Sequence, residues 1–115
     1  MHEASLAGGI LKLVEDAQGR EGFRRVTTLR LAVSRFAGVE VRALRFALEA
    51  IAPGTVLQGA ALVIDEPPGR AWCLPCGATV ALSRRGDPCP RCASHQLQPV
   101  GDTELRVLDL LVEDD

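Results

Sequence analysis

The chain has 115 residues, 47% of them apolar but only 3% aromatic, with a formal net charge of −2. That length accommodates one ordinary domain, or a small domain carrying a smaller module, around an aliphatic core. The charge balance argues against a general nucleic-acid binder, which needs clustered positive charge, and no apolar run is long enough to span a bilayer.

Residues Ala4 to Ala17 carry helical spacing, with Leu6, Ile10, Leu13 and Val14 on one stripe. Gly8 and Gly9 cost that helix about 1 kcal/mol each, so it needs tertiary packing. Gln18 to Gly22 reads as a turn. Val26 to Val33 alternates as a half-buried strand, with Leu29, Leu31 and Val33 on its apolar face. Ser34 to Gly38 is a connection. Val39 to Ala52 is helical again, with Val41, Leu44, Leu48 and Ile51 on one stripe, and Pro53-Gly54 stops it. Ala60 to Glu66 is a second strand, with Leu62 and Ile64 on one face. Pro67-Pro68-Gly69 marks the clearest boundary, since no regular element is expected to survive that triplet.

All four cysteines follow within one window, as Cys73-Leu74-Pro75-Cys76 and Cys89-Pro90-Arg91-Cys92 around a short hairpin-like run. Each pair presents two thiolates from one tight turn, and two such turns facing each other build a tetrahedral four-sulfur site. The proline in each pair stiffens its turn, and Gly77 tolerates positive φ just after the second ligand. Softness and geometry favour Zn2+, with an iron site as the lesser alternative. A disulfide framework is the competing reading. Without an export signal ahead of them, close-paired cysteines are expected to be reduced, in the cytoplasm, and metal-bound. Pro99 and Gly101 form a second hinge, and Glu104 to Val112 is a final strand whose apolar residues on both faces suit a central position.

These elements predict an α+β fold: a small three-stranded sheet with two helices, plus an inserted four-cysteine, zinc-ribbon-like module. The corresponding domains are 1–68 with 100–115, and 69–99. A zinc-ribbon module binding nucleic acid or protein is an alternative function, since Arg70, Arg84, Arg85 and Arg91 bias this region to positive charge and Trp72 could stack on a base. With two histidines, no glycine-rich phosphate loop and no nucleophile beside an evident base, the chain is not expected to be an enzyme. His95, three residues beyond Cys92, is a candidate neighbour or alternative ligand of the metal.

The amino terminus is a second candidate site. A lone histidine near a terminus is usually solvated and inert. At position 2, however, the α-amine of Met1, the amide and imidazole of His2 and the amide of Glu3 can close successive chelate rings. Such nitrogen donors suit Ni2+ and Cu2+. The opening Met1-His2-Glu3, Ser5-Leu6-Ala7, the run Val41 to Glu49, Gly54-Thr55, Gly59 to Ile64, the two cysteine pairs and Gly101-x-x-Glu104-Leu105 occur in order along nearly the whole chain. Together they resemble the HypA/HybF family of hydrogenase maturation nickel metallochaperones. Ala93 departs from the pattern, standing where a glycine often follows the last cysteine. The resemblance implies Ni2+ held as cargo by Met1, His2 and Glu3, and structural zinc held by Cys73, Cys76, Cys89 and Cys92. It implies delivery to the large subunit of a [NiFe] hydrogenase with a HypB-type GTPase as partner. A homodimer is a further expectation, and neither nucleic acid nor a membrane is an expected partner.

Overall fold

The computed structural model describes residues 2–114. Its elements in chain order are α1 (His2–Glu21), β1 (Arg25–Val33), α2 (Val41–Ile51), β2 (Ala61–Asp65), β3 (Gly69–Cys73), β4 (Ala78–Leu82), β5 (Leu97–Val100) and β6 (Leu105–Glu113). The strands form two three-stranded sheets, ordered β2-β1-β6 and β4-β3-β5. The α+β class, the first sheet with its two helices and the inserted cysteine module are as the sequence predicts. The second sheet belongs to that module, where the sequence indicated only a hairpin-like run.

The chain divides into two compact units, one of Met1–Leu31, Val39–Ile64 and Val107–Asp115, the other of Ala32–Gly38 and Asp65–Arg106. In the first, α1 and α2 pack on each other. Its buried apolar side chains include Ala7, Ile10 and Val14 of α1, Val26, Leu29 and Leu31 of β1, and Leu44 and Leu48 of α2. Each fully buried leucine or valine contributes about 1.5–3 kcal/mol. That offsets the helical glycines: α1 runs through Gly8, Gly9 and Gly19 and continues to Glu21, well past the expected stop at Ala17. Gly22, at φ 77°, ends it, and its N–H closes on the Gln18 carbonyl. The Gln18 amide then donates to the Phe23 and Arg24 carbonyls. Leu13, assigned to the buried stripe, is exposed, and Ala7 is buried in the stripe instead. α2 starts two residues later than expected because Glu40 is its N-cap, its carboxylate accepting from the Arg42 N–H.

The order β2-β1-β6 corrects one expectation. β1 is central and β6 lies at the edge, where none of its residues is fully buried. Leucine and valine on both faces had suggested a covered strand, yet Leu111 and Val112 are exposed. β6 is held to β1 by polar contacts along its length: Arg24 to Glu113, the Thr27 hydroxyl to the Leu111 carbonyl, and Arg30 to Asp109. That succession requires the two strands to run in opposite directions.

In the second unit β3 pairs antiparallel with β4 on one side and β5 on the other. Two predicted breaks lie inside this sheet. Gly69 opens β3, so the break after β2 is confined to the segment before it. Pro99 pairs with Ala71 within β5, at the sheet edge, where a missing N–H costs no ladder bond. The core of this unit is Phe36, Ala71, Cys73, Val80, Leu82 and Cys89. Phe36 comes from the segment expected to be a mere connection. Its ring lies over the Gly69 backbone so closely that a Cβ there would overlap ring atoms Cδ1, Cε1 and Cζ.

Candidate metal centres

The two CxxC pairs sit on matching knuckles. The first is the turn from β3 to β4: the Gly77 N–H donates to the Cys73 carbonyl at 2.9 Å, with Gly77 at φ 61°. The second repeats this geometry, the Ala93 N–H donating to the Cys89 carbonyl at 2.7 Å, with Ala93 at φ 64°. Ala93 is the one non-glycine with positive φ among the described residues, at the position where the family pattern often has glycine. The second knuckle is closed by the Cys89 N–H on the Ser94 carbonyl. The first is tied to the chain entering β5 by the Leu74 N–H on the Gln96 carbonyl.

The knuckles bring four sulfurs together, all within 4.8 Å of one another. Cys73 Sγ lies 3.6 Å from Cys92 Sγ, and Cys76 Sγ lies 3.9 Å from Cys89 Sγ. Four sulfurs at ~2.3 Å from a tetrahedral zinc stand ~3.8 Å apart, whereas a disulfide requires ~2.05 Å. The cysteines are free thiols, and these two separations match a tetrahedral metal centre and not a disulfide.

The electrostatics fit as well. Burial pushes the Cys73 thiol up. Donation of the Cys76 S–H to the Cys92 and Cys73 sulfurs, with burial, pushes Cys76 up to about 12. Burial also works against the Cys89 thiolate, but the N–H groups of Arg91 and Cys92 outweigh it and bring Cys89 down to about 7. The Arg91 N–H lies 3.4 Å from that sulfur. The cluster therefore holds protons that a metal must displace, with Cys89 the readiest to ionise.

His95 is not part of the cluster. It is exposed and lines a shallow cavity with Phe36, Arg85 and Leu97. Of the arginines that suggested a basic surface, Arg85 has a structural task. Its Nε donates to the Phe36 carbonyl at 2.8 Å, and its guanidinium stands 5.3 Å from the Phe36 ring centroid. The link between residues 36 and 85 could not be read from the sequence, because neither residue belongs to a motif.

At the other candidate site, Met1 lies outside the described residues. His2 is exposed and is the first residue of α1. Glu3, in the first turn, is buried, and its Oε2 accepts the Glu40 N–H at 2.9 Å. That bond is the leading cause lowering its carboxyl from an ordinary 4.5 to about 2. Glu40 thus joins the start of α2 to the start of α1. No helix among the described residues is long and apolar enough to cross a membrane.

Fold and site together define a small α+β protein with a four-cysteine metal centre. The fold is shared with the solution structure of the Ni metallochaperone HypA from Helicobacter pylori, at a TM-score of 0.70 and 18% identity, with all of both chains covered. Residues 1–112 match the family described as hydrogenase/urease nickel incorporation, metallochaperone, hypA. The hydrogenase maturation factor HypA of Polaromonas naphthalenivorans is 67% identical over 115 residues, covering all of both chains. That of Cupriavidus necator is 65% identical over 114, covering 99% of this chain and 96% of its own. The chain belongs to the HypA family of nickel-incorporation metallochaperones.

Proposed function

We propose that this protein carries Ni2+ at its amino terminus, through Met1, His2 and Glu3, and passes it to the large subunit of a [NiFe] hydrogenase. A HypB-type GTPase would be its partner and the cytoplasm its compartment. The process is ligand exchange, with no catalytic residue. Zn2+ is the resident metal of Cys73, Cys76, Cys89 and Cys92, where it would lock the two knuckles and supply no reaction chemistry. The corresponding division of labour is a nickel-binding domain of 1–68 and 100–115 and a zinc-binding module of 69–99.

The observation that carries this reading is where α1 begins. The first N–H groups of a helix have no intrahelical partner. With the helix starting at His2, the amides of His2 and Glu3 can lose their protons to a metal without breaking the helix ladder. The helix dipole opposes a cation at this end, while the ionised Glu3 carboxylate offsets part of that. The balance favours a site weak enough to release its cargo.

The test is nickel titration of untagged, zinc-loaded protein against His2→Ala. One exchangeable nickel should disappear in the variant, while zinc content and far-UV dichroism stay unchanged. A fused N-terminal tag, which turns the α-amine into an amide, should have a similar effect. Equal nickel affinity in the wild type and the His2→Ala variant would refute the proposal.

A further inference from the structure

The second unit holds a hollow beside its cysteine cluster. Phe36, Ala71, Leu82 and Leu97 form an apolar floor, and the cavity measures about 180 Å3. That is below the ~300 Å3 at which ordinary small-molecule sites begin, and it suits one aliphatic side chain. Arg85 and Asp87, from the loop after β4, and His95, from the approach to β5, stand on the rim. The rim carries opposite charges that do not satisfy each other. Arg85 commits its Nε to the Phe36 carbonyl, which leaves both Nη groups without a partner among the described residues. Asp87 accepts the Arg84 N–H on Oδ2 at 3.1 Å, and its Oδ1 is likewise unpartnered. No ion pair joins Arg85 to Asp87 among the described residues, although both line the same hollow.

We propose that this hollow receives the carboxyl-terminal residue of a partner polypeptide, one that ends in an aliphatic side chain. The argument is complementarity on three counts. The side chain covers the apolar floor. The terminal carboxylate faces the two Nη groups of Arg85, with a ring N–H of His95 as a further donor. The backbone N–H of the same residue donates to Asp87. Other ligands fail on one count or another. A bare anion such as phosphate meets Asp87 and leaves the floor uncovered. A basic side chain meets Arg85. A residue inside a chain offers the N–H and the apolar group without the carboxylate. A free amino acid has all three groups, but Arg85 and His95 are exposed, so the rim encloses little of a separate molecule. A chain end adds the contacts of the residues before it, and capture of terminal carboxylates is a recurring mode of peptide recognition.

The site uses neither His2 nor a cysteine, so its test is separate from that of nickel carriage. The experiment is an amide-resolved NMR titration of untagged, zinc-loaded, isotope-labelled protein with the peptide acetyl-Ala-Ala-Leu. Saturable shifts centred on Gly86, Asp87, His95 and Leu97 are expected. The same peptide with a carboxamide end should bind at least about tenfold more weakly, because a charge-assisted pair is lost. Acetyl-Ala-Ala-Ser should bind about fivefold more weakly, because apolar burial is lost. Asp87→Asn, which keeps an oxygen for the Arg84 N–H, should weaken binding and leave amide shifts far from the hollow unchanged. Arg85→Gln should abolish binding. Since that change also releases the Phe36 carbonyl, the comparison of acid and amide ends in the wild type decides the matter. Equal affinity for the two ends overturns the proposal. So does equal affinity for free leucine, which would make the hollow a small-molecule site, and so does the absence of saturable shifts with acetyl-Ala-Ala-Leu up to roughly 10 mM.

Discussion

Gly69→Ala should damage the metal centre without touching a ligand. The added methyl would overlap three atoms of the Phe36 ring. The ring cannot simply swing aside. Phe36 is buried in the cluster that contains Cys73 and Cys89, its carbonyl is held by Arg85 Nε, and the Arg85 guanidinium lies over its face. Relief therefore requires either strain in the cluster, at about 1–3 kcal/mol, or expulsion of a ring whose burial is worth about 1.5–3 kcal/mol. A cost of about 1–3 kcal/mol is expected. Under the proposed zinc loading the metal stabilises only the folded unit, so the cost is read as lost zinc affinity, roughly 5- to 150-fold. Chelator competition measures it. Trp72, the single tryptophan in a chain without tyrosine, lies beside Cys73 and reports this unit by fluorescence. Phe36→Leu should recover part of the loss in the Gly69→Ala background and cost affinity on its own, a coupling expected of touching residues. Zinc affinity within threefold of wild type in Gly69→Ala would refute the packing argument.

Ala93→Gly should tighten zinc. The left-handed conformation costs alanine about 1–2 kcal/mol, and glycine's greater chain entropy returns about half of that, so a gain of about 0.5–1 kcal/mol is expected as slower zinc release to a chelator; faster release would contradict it. Glu3→Gln should alter the acid side of unfolding. The Glu3 carboxyl is lowered from 4.5 to about 2 in the fold, so its stabilisation is complete above about 4.5 and fades as pH falls towards 2. Far-UV dichroism, weighted to α1 and α2, should lose that component in the variant, and superimposable acid curves would rule it out. Zinc affinity should fall with pH, since Cys73 and Cys76 must give up tightly held protons. Stripping zinc should change Trp72 emission while leaving most helical dichroism, and a cooperative loss of both would contradict the division into two units.

The legible parts of the fold were those in which local pattern and tertiary demand coincide. Leu44 and Leu48 bury the stripe their spacing draws, and Leu29, Leu31 and Val33 bury the face their alternation draws. The cysteine spacing carried the site, because a ligand set is constrained by the geometry of one ion and not by the rest of the chain. What stayed hidden depends on sequence-distant neighbours. Composition cannot tell an edge strand from a central one, so β6 was misplaced. Pro99 signals a turn unless an edge spares its N–H. Phe36 has no local partner, and its task exists only because Gly69 and Arg85 are brought to it. In the amino-terminal helix, the glycines demand tertiary packing, and burial of Ala7, Ile10 and Val14 supplies it.

Glu3 shows how the geometry narrows a role that the residue type leaves open. Its carboxylate could have been a nickel ligand, an orienter of His2 or a partner contact. The structure commits one oxygen to the Glu40 N–H, the residue that in turn caps α2. The buried side chain therefore pins the first turn of α1 to the start of α2, and the proposed nickel ligand at this residue is its amide nitrogen, not its carboxylate. On this argument Glu3→Gln, which keeps the amide and can still accept that hydrogen bond, should bind nickel more nearly like wild type than His2→Ala does. Replacement by proline, which removes the amide N–H, should be the more damaging change at position 3. Nickel titration of the two position-3 variants separates the roles. A large loss in Glu3→Gln with little in Glu3→Pro would assign the metal to the carboxylate instead.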